Sequence, residues 1–102
     1  MSKPEFTLHV RFRSKLSLDQ VTKIMEERAP EFRALEGLQQ KYYLQDAATG
    51  EFAGLYLWES QEALAAYRES ELRASIATAY QAEGEPRVEV YRVIATLRDD
   101  RG

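Results

Sequence analysis

The segment Phe52-Ala53-Gly54-Leu55-Tyr56-Leu57-Trp58 reads as a strand with no charge on either face. Ala53, Leu55 and Leu57 form one side, and Phe52, Gly54, Tyr56 and Trp58 form the other, following a period of two. A strand apolar on both sides needs a covering layer on both, unlike a sheet that keeps one face in water. The same demand returns in Val93-Ile94-Ala95-Thr96-Leu97, where four of five consecutive residues are apolar. Helices supply one layer. The chain has no loop long enough to supply the other, so a second copy of the same sheet is expected and the protein should be a homodimer.

The rest of the chain supplies the elements around that strand. Phe6 to Arg13 alternates, with Phe6, Leu8, Val10 and Phe12 on one face and Thr7, His9, Arg11 and Arg13 on the other. Ser17 followed by Gln20 has the spacing of a capping box, and Leu18, Val21, Met25, Arg28, Phe32 and Leu35 continue as a helical stripe. Pro30 cannot donate to the carbonyl of Glu26, which predicts a kink or a break into two short helices. Gly37 ends the segment. Leu38 to Gln45 is a second strand, residues 46–50 form a hairpin loop, and Phe52 to Trp58 pairs back. Ser60 caps a second helix whose stripe is Leu64, Tyr67, Leu72, Ile76 and Tyr80, with Ser70 as a candidate recap. A long last strand is predicted from Arg87 to Leu97, and residues 98–102 as a frayed tail. This order predicts one α+β domain of ferredoxin-like β-α-β-β-α-β type with a four-stranded antiparallel sheet.

Composition narrows the function. The 102 residues suit a single domain, whose core is modest because a chain this short buries only about 60–65% of its unfolded surface. Six Tyr, four Phe and one Trp are generous for such a core, so some rings are expected in a pocket or a subunit contact. The net charge is −3 and no segment is a basic run, so nucleic acid is not an expected partner. The absence of cysteine excludes disulfides, thiolate catalysis and Cys-ligated metals. With one histidine, and with the carboxylate pairs Glu26-Glu27, Glu69-Glu71 and Asp99-Asp100 reading as solvated, no metal site is expected. No phosphate-binding glycine loop, nucleotide fingerprint, signal peptide or membrane-spanning stretch is visible. No cofactor and no membrane partner are expected, and a cytoplasmic location is.

With these elements in place, Leu8-His9, Gly37-Leu38 with Lys41 and Tyr43, Gly54 to Glu59, and Ala66-Tyr67 together resemble the dimeric α/β-barrel superfamily, and within it the YdhR-like monooxygenases. The likeness spans roughly residues 6 to 96. It implies a dimeric α/β barrel and a small-molecule substrate. The branch of the superfamily that degrades heme uses a helix-borne histidine; the second helix here has Arg68 and no histidine.

Several residues are candidates for chemistry, each with a structural alternative. His9, the only histidine, is either a catalytic base or a histidine hydrogen-bonded within the sheet or at the dimer seam. Arg11, on its face, either binds an anionic substrate or pairs with a carboxylate. Tyr56 and Trp58 flank the space left by Gly54, which suits a flat ligand or simple packing. Lys41 is either solvated or steadies an oxyanion. Tyr67 either points its hydroxyl into the cleft or packs in the core. The hairpin register decides more: Gln45 opposite Glu51 puts Tyr42 opposite Gly54, and a shift of one residue puts Tyr43 and Lys41 on that face instead. Three functions are carried forward. The first is a cofactor-independent monooxygenase acting on a small aromatic or polyketide-like phenol, with catalytic His9, Tyr56 and Lys41 and substrate-binding Arg11, Tyr43, Trp58 and Tyr67. The second is an isomerase or cyclase with the same base. The third is a non-enzymatic small-molecule-binding dimer.

Overall fold

A computed structural model describes residues 3–98. The predicted tail, 98–102, lies outside the described residues apart from Arg98.

Strand β1 covers Phe6–Phe12 and buries Leu8, Val10 and Phe12. Helix α1, Leu18–Arg33, opens on the capping box: the Gln20 backbone N–H donates to Ser17 Oγ at 3.2 Å, and the Ser17 N–H donates to Gln20 Oε1 at 2.8 Å. Pro30 does not break it. The proline sits in the last turn, where few carbonyls follow, so the ladder loses one bond and α1 runs on to Arg33. The inner stripe is Val21 and Phe32 with Met25 partly buried, whereas Leu18 is exposed.

Gly37 follows at φ +83°, and a side chain there would collide with the Cβ of Ala63. Its carbonyl accepts from the Glu59 N–H at 2.9 Å, tying the end of the first half to the start of the second. Strands β2, Leu38–Gln45, and β3, Phe52–Trp58, match the expected limits. Asp46 Oδ1 accepts from the Ala48 and Thr49 N–H groups, which folds the hairpin loop and holds the Asp46 carboxyl below its usual range.

The second helical region divides. Helix α2, Gln61–Arg68, is capped by Ser60; α3, Glu71–Ala74, by Ser70; α4, Ile76–Ala79, follows directly. Strand β4 is Arg87–Arg92. The sheet is antiparallel in the order β2-β3-β1-β4, a ferredoxin-like fold. The helices cover the face of Leu8, Val10, Phe12, Phe52, Tyr56 and Trp58. Among the described residues no helix is long and apolar enough to cross a membrane.

The predicted last strand is too long by five residues. Its partner β1 runs out: Phe6 pairs with Arg92, the Val93 N–H still donates to the Glu5 carbonyl, and Pro4, next in line, has no N–H to offer. The apolar run beyond therefore leaves the sheet, and Ile94 and Leu97 stand about 90% and 95% exposed.

Candidate functional site

Hairpin pairing determines which side chains reach the helices. Gln45 pairs with Phe52, Tyr43 with Gly54 and Lys41 with Tyr56, so the shifted register is the one adopted. Lys41 and Tyr43 face inward; Tyr42 and Leu44 face the open side. An inner cleft forms between this part of the sheet and the helices, lined by Val10, Met25, Lys41, Tyr43, Gly54, Tyr56 and Tyr80 among others. It holds about 30 Å³ of space for solvent, room for roughly two waters. At Lys41 and Tyr43 it adjoins a larger open groove of about 360 Å³, which adds Ala29, Phe32, Arg33, Leu38, Gln39 and Gln40.

Lys41 is the charged side chain lining the inner cleft. Its ammonium nitrogen lies 3.4 Å from the ring centroid of Phe32, 4.5 Å from that of Tyr43 and 4.6 Å from that of Tyr56. The ring faces attract a cation, but they cannot replace the water it has lost. Burial, and then the Arg28 guanidinium, bring its pKa down to about 7. Of the two alternatives for Lys41, the solvated one does not hold, because the register turns it under α1.

Tyrosine hydroxyls complete the polar inventory. Tyr67 donates to the Tyr56 oxygen at 3.1 Å, between two buried rings. Burial raises both hydroxyls, Tyr67 to about 12 and Tyr56 further, so each keeps its proton at neutral pH. Tyr80 is likewise raised to about 12 by burial. Tyr67 is not among the side chains lining the cleft and reaches it through Tyr56. Trp58 is fully buried, stacked on Tyr56 with 6.3 Å between centroids, and does not line the cleft; its indole N–H has no partner.

His9 and Arg11 go elsewhere. They lie on the opposite face of the sheet, so the proposed grouping of His9 with Tyr56 and Trp58 around one cavity does not form. Alternation along β1 forces this, since burying Leu8 and Val10 turns His9 and Arg11 outward. His9 meets the Tyr91 ring edge-on at 5.4 Å. Arg11 donates to Asp46 Oδ2 at 3.0 Å and to Glu51 Oε1 at 2.9 Å, so carboxylates already occupy it. Glu51 also attracts Arg13 and Arg87, each at 3.9 Å.

Phe32, Tyr80, Arg28 and Arg33 were missed as site components. Phe32 and Tyr80 belong to helical stripes, and a stripe alone does not separate a cavity wall from solid core. Among the described residues no group of three His, Asp or Glu side chains is placed to hold a metal ion.

The model of a family described as putative mono-oxygenase YdhR matches residues 7–98. No curated protein matches the chain. Solved structures share the fold at low identity. A cofactor-independent oxygenase from Streptomyces nogalater, SnoaB, is 15% identical with a TM-score of 0.73, over 94% of this chain and 99% of that one. A protein of unknown function from Nitrosomonas europaea is 16% identical at TM-score 0.72, covering 96% and 97%. A putative antibiotic biosynthesis monooxygenase from Deinococcus radiodurans is 11% identical at 0.70, covering 92% and 97%.

Proposed function

The chain belongs to the YdhR family of putative mono-oxygenases, and from that premise we propose that it oxygenates a small electron-rich aromatic, a phenol or its enol equivalent, without a cofactor. The observation that carries this reading is the Lys41 amine, held against Phe32, Tyr43 and Tyr56 with a pKa of about 7. An amine neutral over half its population at physiological pH can take a phenol proton, and the ammonium it becomes then steadies the phenolate. Lys41 replaces His9 as the proposed base. The Tyr56 hydroxyl, which already accepts from Tyr67, is left to donate to the substrate oxygen.

The phenolate gives one electron to O₂, and the resulting pair combines at a ring carbon to form a C–O bond. The Lys41 ammonium returns the phenol proton to the peroxide. The amine then takes the proton from that carbon as the O–O bond breaks to leave a carbonyl and a hydroxide, and the hydroxide takes this proton from Lys41 to become water. One oxygen atom enters the product, the other leaves as water, and a phenol C–H becomes a quinone C=O. The inner cleft is too small for a ring as it stands, so a ring would sit at Lys41 and Tyr43, where the cleft meets the groove.

The open face of the sheet supports a homodimer. Leu55, Leu57, Tyr42, Leu44 and Tyr91 lie on it together, and Tyr42 and Tyr91 are about half exposed. A second copy laid on this face would complete the barrel and bury His9 at the seam.

Oxygen consumption with a panel of hydroxyaromatics tests the activity. Turnover is expected with wild type and a fall of roughly 10²–10⁴-fold with Lys41→Met, the range for removing a general base. Turnover that persists without O₂ would replace this reading with an isomerase or cyclase.

A further inference from the structure

The chain carries more acidic than basic groups, 17 to 14, yet among the described residues no carboxylate lines either the inner cleft or the groove that opens from it. The charged side chains lining the two are Lys41 and Arg33. Neither has a carboxylate within ion-pair distance among the described residues, in contrast to Arg11 on the other face, which has two. Arg28 adds a third positive charge. Its Nη2 is fixed by the Leu72 carbonyl at 3.4 Å and by Ser75 Oγ at 2.7 Å, its Cζ lies 5.9 Å from the same Phe32 ring, and its buried Nε has no partner. Arg28 and Lys41 share the Phe32 ring and Arg33 lines the groove beside it, so the Lys41 ammonium is opposed by positive charge, with no carboxylate among the described residues lining either space to offset it.

We propose that the substrate supplies the missing negative charge: the ligand of this site is an aromatic anion, its ring against Phe32, Tyr43 and Tyr56 and its carboxylate in the outer groove on Arg33, short of the Lys41 amine that takes the phenol proton. This deepens the reading of the cleft as the substrate site and rests on it. Arg33 is exposed at the groove rim and forms a planar fork suited to a carboxylate. The groups facing Lys41 are Phe32, Arg28 and Arg33 from α1, Tyr43 from its own strand and Tyr56 from β3, with Tyr67 and Tyr80 beyond; none is an acid that could compete. The carboxylate nearby also favours the Lys41 ammonium, so binding should strengthen as pH falls through about 7, whereas turnover, which uses the free amine, should rise as pH climbs through it.

Equilibrium binding of salicylate and of its neutral counterpart salicylamide to the full chain tests this. At about pH 6 salicylate is expected to bind about tenfold more tightly than the amide, and the margin to narrow by about pH 8. Arg33→Gln, an exposed change that leaves the core alone, should remove most of the preference while barely altering salicylamide. Equal affinity for the two compounds, or a preference untouched by Arg33→Gln, overturns the proposal. The outcomes also separate it from the oxygenase reading. Oxygen consumed with neutral phenols but no salicylate preference removes the anion and keeps the oxygenase. A salicylate preference without oxygen uptake on any hydroxyaromatic keeps the anion and removes the oxygenase.

Discussion

Replacing Lys41 by Met keeps an unbranched stem of similar length and removes the amine from among the three rings. The consequence for stability can be worked from the two pKa values of that amine. Unfolded, it holds its proton up to its ordinary 10.5; folded, burial and then Arg28 bring it to about 7. Between these values the unfolded state binds the extra proton, so wild-type stability rises with pH, by about 1.4 kcal/mol per pH unit. Tyr67 and Tyr80 act in the opposite sense: with folded pKa values raised to about 12, their contribution is complete below the ordinary tyrosine range and is lost as pH climbs through it. The clean window is therefore about pH 7.5 to 9.5, where the Lys41 effect amounts to about 2.5 kcal/mol. Urea unfolding followed by circular dichroism, at fixed protein concentration, gives the wild-type and Lys41→Met stabilities at each pH. Methionine should be the more stable at about pH 7.5, and its advantage should shrink by about 2.5 kcal/mol at the upper end. If cation–π attraction, about 0.5–2 kcal/mol per ring, outweighs burial, the amine stays protonated throughout and the difference between the two proteins is flat. A flat difference would refute the reasoning.

Two further expectations concern the frame around the site. Gly37→Ala should cost about 2–4 kcal/mol in urea unfolding, because it combines a left-handed backbone with a collision against Ala63; adding Ala63→Gly should recover the collision part and leave the backbone part, and no recovery would show that the two segments do not meet. Leu55→Arg, at the middle of the open face, should turn a dimer into a monomer in light scattering at micromolar concentration; a wild type already monomeric there would remove the barrel.

Most of the fold could be read in the sequence because local chemistry and global pattern agree. Ser17 and Ser60 each cap a helix where their spacing indicated, Ser70 takes the capping role that the sequence left open, and β2 and β3 begin and end as their apolar runs do. The last strand was misjudged for a reason composition does not carry: a strand continues only while its neighbour does, and β1 stops at Pro4 and Glu5. The site was harder to read. Alternation in β3 divides two faces that are equally apolar, so it does not say which one meets the helices. In β2 the choice between Lys41 and Tyr42 depends on one residue of hairpin register, which Asp46 and its turn determine. Lys41 was singled out from its type and place, but its burial depended on that register.

The six residues between Gln45 and Phe52 thus act as a selector for the whole binding surface. Deleting a single residue there would turn β2 over like a card, presenting Tyr42 and Leu44 to the helices and sending the amine into water. A lineage could then lose or regain a reactive nitrogen with every side chain of β2 unchanged. In this fold, the length of an exposed turn deserves the same scrutiny as the residues of the pocket.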